Sequence, residues 1–208
     1  MRNYYSSCRP IRILDRDSDI GHRIGGNPPI GIVPEHIFYC TEYFATFVID
    51  EGSQREISIF NSFEMRVFSD RSFLNNEYII FPSDQVWFMQ FVIHDATARM
   101  SKASDLSSSL SSRALLLDPE EPDYEGWLDS NIYQGTKMGG YPLYWQNKQS
   151  MVGQGKALLD QGFVHLFQFA FPDDRDSLIE GSWPYGRHVA HVFVDDPKNP
   201  TDIRYGWG

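Results

Sequence analysis

The side chains that could do chemistry in this chain are scattered, and their spacing limits what they can do. Nucleophilic catalysis needs a serine or cysteine on a strained elbow with a histidine in reach. The chain has no Gly-X-Ser-X-Gly, Cys8 and Cys40 lack a flanking signature, and the six histidines are dispersed. His188 and His191 fall in His-Val-Ala-His-Val-Phe-Val, a strand pattern that points them to opposite faces and away from a common metal. Asp15, Asp17, Asp19 and Gly21 imitate a calcium loop. However, the position that should be the turn glycine is Ile20, and the one that should be a bidentate Glu is Gly26. Neither a dinucleotide fingerprint nor a Walker sequence occurs. The reading is therefore no catalytic residue, no cofactor and no metal.

Charge is more informative. Twenty-eight acidic side chains face 18 basic ones, a formal net charge of −10. Such a field repels phosphate backbones, so nucleic acid is not expected as a partner, while a basic protein is compatible. The acids concentrate in Asp118-Pro-Glu-Glu-Pro-Asp-Tyr-Glu125, where two prolines forbid helix and imply an extended, exposed arm. Asp118, Glu120, Glu121, Asp123 and Glu125 are the candidate partner contacts, with Tyr124 and Trp127 as aromatic anchors.

The elements that would position these residues are mostly strands. Aromatics make up 15% of the 208 residues, which favours pleated structure. Strand patterns run over 37–49, 57–60, 63–68, 78–81, 86–93, 163–171 and 188–194, with 203–207 expected as a final edge strand. The 86–93 segment is apolar on both faces except at Gln90, which predicts a central position in its sheet. Seven of the twelve residues from Ser101 to Ser112 are serine, which predicts a loop. Residues 155–161, stopped by Gly162, fit a short helix or a hairpin arm. Two thiols make no disulfide framework, so reduced cysteines are expected. No signal peptide or membrane span is read, and the expected location is cytoplasmic.

Two glycine corners punctuate the chain. Arg23-Ile-Gly25-Gly26-Asn-Pro28 and Lys137-Met-Gly139-Gly140-Tyr141-Pro142 both read basic, apolar, Gly, Gly, any residue, Pro. A glycine nest beside Lys137 would suit an anion, but two glycines and a proline are also what a tight backbone corner requires. Phe88-Met-Gln90-Phe-Val-Ile93 and Leu166-Phe-Gln168-Phe-Ala-Phe171 add a second internal likeness. Together these imply an ancient duplication. The expected fold is α+β and strand-dominated, with few short helices. Two pseudo-repeated β-rich halves (about 1–95 and 131–208) would pack into one globular domain, joined by a Ser-rich and acidic connection at about 96–130.

The segment Lys137-Met-Gly-Gly-Tyr-Pro-Leu-Tyr-Trp-Gln146 resembles the Lys-hydrophobic-Gly-Gly-Tyr-Pro-aromatic-X-Gln element of the YwqG-like family, a bacterial family of unknown function. The corner at Gly25, Gly26 and Pro28 and the Leu-Phe-Gln168-Phe strand resemble two further elements of that family. Where the family has an Asp-rich stretch and a Trp-Gly-Asp loop, this chain has Phe171-Pro-Asp-Asp and Ser182-Trp-Pro-Tyr-Gly186, so the resemblance is to a divergent branch. It implies a β-rich, internally duplicated fold in which the corner residues, Gln146 and Gln168 are structural. Relatives of this kind include candidate immunity proteins beside bacterial toxins. The resulting expectation is a non-enzymatic module that neutralises a basic toxin domain by direct binding. The alternative is a small-ligand binder or hydrolase-like enzyme with its site between the halves.

Overall fold

The computed structural model describes residues 7–32, 41–50, 52, 54–62, 78–79, 88–123, 135–142, 155, 157–170 and 189–207. Twelve strands carry it: β1 Ser7–Ile13, β2 Arg23–Ile24, β3 Thr41–Asp50, β4 Arg55–Ser62, β5 Tyr78–Ile79, β6 Phe88–Asp95, β7 Arg113–Leu117, β8 Glu121–Pro122, β9 Lys137–Gly139, β10 Val164–Phe169, β11 Ala190–Val194 and β12 Ile203–Trp207. They form one sheet in the order β5-β12-β11-β10-β9-β1-β7-β2-β3-β4-β6, with β8 pairing β1. Every pairing is antiparallel except that of β12 with β5. The expected strand dominance holds, and among the described residues helix is confined to 155 and 157–160. The helical stretch ends at Gly162, whose φ of +94° only glycine adopts comfortably.

The sheet curls until its ends meet. The Phe91 ring of β6 lies 6.1 Å from the Tyr205 ring of β12, and the Tyr205 hydroxyl meets the Met89 backbone. Inside, a single core takes Phe44, Phe47, Ile57, Ile59 and Phe91 from the first half and Leu166, Phe167, Phe169, Val192 and Tyr205 from the second. Phe47 touches Phe167 and Phe169 at centroid distances of 4.4 and 5.5 Å. Each buried phenylalanine contributes about 1.5–3 kcal/mol, so this seam of rings binds the halves to one another.

Two positional expectations are exchanged. β6, predicted central, stands at one end of the strand order among the described residues, while β12, predicted to be an edge, has neighbours on both sides. An apolar strand reports covered faces, not covered edges. Met89 and Phe91 face the inner core, and Val92 packs against an outer cluster of Ile32, Tyr43, Phe60 and Leu106. Leu106 and Leu110, buried within the Ser-rich segment, pin that loop to the sheet. The sequence reading also passed over β1 and β7, which sit side by side at the middle of the sheet, because Pro10 and charged residues break their strand patterns.

Register brings out a correspondence between the halves. Arg23 lies opposite Thr46 of β3, and Lys137 lies opposite Gln168 of β10. β3 carries an irregularity between Tyr43 and Ala45, and β10 carries one between His165 and Phe167. These bulges place Phe44 with Ala45, and Leu166 with Phe167, side by side in the core. Tyr43 thus corresponds to His165, Thr46 to Gln168 and Phe47 to Phe169. The likeness noted around Gln90 and Gln168 falls elsewhere: Gln90 is on the outermost strand of its half, Gln168 on the strand next to its corner.

Candidate functional site

The two corners are the places where ionisable side chains gather. All four corner glycines have φ between +68° and +72°, a region that costs an L-residue about 1–2 kcal/mol. The backbone needs the space as well. A Cβ on Gly25 would overlap the Ser111 carbonyl, and one on Gly140 would overlap the Asp123 carboxylate and meet Cys8 Cβ at 2.6 Å.

Each corner strand begins with a fully buried cation, and a buried cation requires a carboxylate. At the second corner the Lys137 ammonium donates to Asp123 Oδ2 at 2.6 Å, and the Tyr141 backbone N–H donates to the same oxygen at 2.7 Å. Burial pulls the lysine pKa down, and Asp123 opposes that shift. The Cys8 thiol also bonds Asp123, and burial together with that carboxylate pushes it up to about 12. His165 Nδ1 lies 3.2 Å from both the Gly139 and Gly140 carbonyls, so Nδ1 carries the proton. Its Nε2 then accepts from His191 Nδ1 at 3.3 Å. Burial, with Lys137 nearby, lowers the His165 pKa to about 3.

At the first corner Arg23 forks onto Glu56, with both Nη–Oε distances 3.2 Å, and also donates to the Gly21 and Thr97 carbonyls. A chain of hydroxyls leaves this pair. Tyr43 Oη, Thr46 Oγ1, Ser58 Oγ and His94 Nε2 follow one another at 2.8, 2.7 and 2.8 Å. His94 Nδ1 lies 2.8 Å from the Asp95 carbonyl, which makes it the donor there and leaves Nε2 to accept from Ser58. Glu56 Oε2 is 4.0 Å from His94 Nδ1, so serine, histidine and acid do come together. As a nucleophile, however, Ser58 is badly placed: it is fully buried, and Thr46 and His94 occupy both sides of its oxygen. The Cys8 thiol is held protonated, and the Lys137 ammonium that suggested an anion site is taken by Asp123. These arrangements are suited to specifying the corners.

The acidic arm divides into an outer and an inner part. Asp118 is clamped by Arg12, at 2.5 and 2.6 Å, which holds its carboxyl below the usual range. Glu120 is exposed and accepts a bond from the Ser7 hydroxyl, and Glu121 is half-buried opposite Cys8. Asp123 corrects the expectation of an exposed contact. It is 1% exposed and is the internal counter-ion of Lys137, because the arm turns inward after Pro122. Tyr124, Glu125, Trp127 and Gln146 lie outside the described residues. Pro28 and Pro142 are buried at their corners, and Gln168 donates to the Gly135 carbonyl at 2.9 Å. The calcium-like turn serves a different end, since Asp17 and Asp19 both grip Arg99. Among the described residues no group of side chains could hold a metal ion, and no helix is long and apolar enough to cross a membrane.

Comparison with protein-family models, curated proteins and solved structures finds no match to this chain. Sequence reading singled out the residue before each corner as basic but missed its partners Glu56 and Asp123. The available signal was physical: a cation inside an apolar strand pattern calls for an acid, whatever its distance in sequence.

Proposed function

We propose that this protein is a non-enzymatic binding module, a cytoplasmic immunity protein that neutralises a basic toxin domain by covering it. On this reading it is a divergent YwqG-like chain whose halves descend from one duplicated unit. The matched corners and bulged strands support that ancestry.

The observation that carries the proposal is how charge is partitioned. Among the described residues Asp15, Asp17, Asp19, Asp95, Asp105, Glu120, Asp160, Asp195 and Asp196 are exposed carboxylates, whereas only Arg12, Arg16, Lys102 and Lys198 are exposed cations. Inside, the charged side chains are matched acid to base at the corners. An interior of closed pairs under an acidic exterior suits steering and docking of a cationic protein.

The test uses the protein encoded beside this gene as the partner. Glu120→Gln with Glu121→Gln should slow its association several-fold at low salt, with a smaller effect at high salt, and leave the fold intact. Salt-independent association, or full protection of cells by the neutralised variant, would sink the reading.

A further inference from the structure

We propose that the chain Tyr43–Thr46–Ser58–His94 is an acid-sensitive switch, in which a proton taken up by His94 near the surface reverses every hydrogen bond back to the buried Arg23–Glu56 pair. The device does not depend on the binding reading above.

Counting protons fixes the direction of the chain. Three contacts of 2.8, 2.7 and 2.8 Å join the four groups, and the three hydroxyls supply one proton each. Among the described residues these hydroxyls have no other acceptor. His94 Nδ1 donates to the Asp95 carbonyl, so the neutral ring presents a lone pair on Nε2. Ser58 therefore donates to His94, Thr46 to Ser58 and Tyr43 to Thr46, and each contact holds one proton. The inner end agrees. The Tyr43 oxygen also meets the Arg23 guanidinium, which can only donate, so the phenolic proton is best aimed at Thr46.

A proton on Nε2 makes four protons for three contacts. His94 then donates to Ser58, Ser58 turns to Thr46 and Thr46 to Tyr43, all by rotation of O–H groups with no bond broken. The surplus falls on Tyr43, which is fully buried beside a cation. Glu56 acts on both ends of the chain, on Tyr43 through its charge and on His94 Nδ1 from 4.0 Å. Its fork to Arg23 has slack, since both contacts are 3.2 Å, where charge-assisted bonds run nearer to about 2.7–2.9 Å. A charged His94 and a redirected Tyr43 hydroxyl thus compete with Arg23 for one carboxylate, and the first corner loosens. The other charged groups around His94 are Arg23 and the adjacent Asp95. Burial outweighs the two acids and holds the His94 pKa below its ordinary value, so the ring is neutral at pH 7, while a side-chain exposure of 15% lets a proton reach it.

The experiment acidifies the full chain from neutral pH and follows by NMR the His94 ring nitrogens and the Tyr43 Cζ carbon, which reports the phenolic hydrogen bond. At neutral pH His94 should carry its proton on Nδ1, and Tyr43 Cζ should shift with the His94 midpoint. That shift should vanish in His94→Gln and in Thr46→Val, which cuts the chain while His94 still titrates, and Thr46→Ser should retain it. In the unsubstituted chain the Arg23 Nε–H should exchange with water several-fold faster below the same midpoint. A proton on Nε2 at neutral pH, no His94 titration in the folded chain, or a Tyr43 carbon that stays still while His94 titrates would each overturn the switch. So would an equal shift in Thr46→Val or an unchanged Arg23 exchange rate. Should Thr46→Val not fold, the unsubstituted chain and His94→Gln decide the question.

Discussion

The two glycine corners share a backbone and differ in how they hold charge. Both place a buried cation opposite the same position of a bulged strand, and both turn on two left-handed glycines. Arg23 finds its acid two strands outward, on β4, where the corresponding position in the second half is Val189, just before β11. Lys137 finds its acid across β1, just past β8. The flank of the second glycine differs as well. Gly140 packs under Asp123 and Cys8, whereas Gly26 packs under Ser112 and Arg99, with the charge reversed. The corner is thus a backbone device that accepts any charge arrangement able to close. Arginine, with its five donors, spreads its load over Glu56 and two carbonyls, while lysine relies on one carboxylate.

That difference can be broken experimentally. Asp123→Ala leaves the Lys137 ammonium buried without its carboxylate and should cost about 3–5 kcal/mol in urea denaturation, whereas Glu56→Ala should cost about 2–3 kcal/mol because two carbonyls still hold Arg23. Asp123→Leu with Lys137→Met should recover most of the loss; if it does not, the pair is more than a matched burial. Gly140→Ala, strained in φ and overlapping Asp123, should cost about 2–4 kcal/mol. At Gly139 the nearest atom to an added Cβ is 3.7 Å away, so alanine there should cost only about 1–2 kcal/mol.

Acid should divide the halves too. A histidine whose folded pKa is lowered to about 3 binds fewer protons than the unfolded chain between about 3 and 6.5. Its contribution is complete above pH 6.5 and is lost as pH falls through that window. The urea midpoint should fall accordingly, and His165→Gln should flatten the slope more than His94→Gln, since the His94 side chain keeps some exposure. Equal flattening would erase this asymmetry. The smallest effect belongs to the surface: Arg12→Ala, which releases Asp118, should change stability by less than about 1 kcal/mol.

Much of this comparison was legible beforehand. The alternation at Ile57–Phe60 and the aromatic run ending at Phe169 announced their strands, and the glycine pairs announced their corners. Strand order was not, because apolar patterning reports faces, and β6 shows the same pattern with or without a neighbour at its edge. Nor was the fate of the acidic arm. Asp118 and Asp123 are the same residue type five positions apart, yet one meets an exposed arginine and the other a buried lysine. Which acid turns inward is decided by the path of the backbone after Pro122, a tertiary fact. The meeting of Asp17, Asp19 and Ser112 around Arg99 left no pattern at all, since only the path of the backbone brings them together.

The position of β1 sets the order of assembly. Its ladder partners, Arg113–Leu117, Glu121–Pro122 and Lys137–Gly139, all lie roughly a hundred residues or more downstream. Such pairings give high contact order, and loop closure must be met before they return any energy. Each half can collapse early around its own corner and bulged strand. The β1 ladder, the β5–β12 pairing and the shared core all need distant segments to meet, so the molecule should fold slowly, with these links forming late.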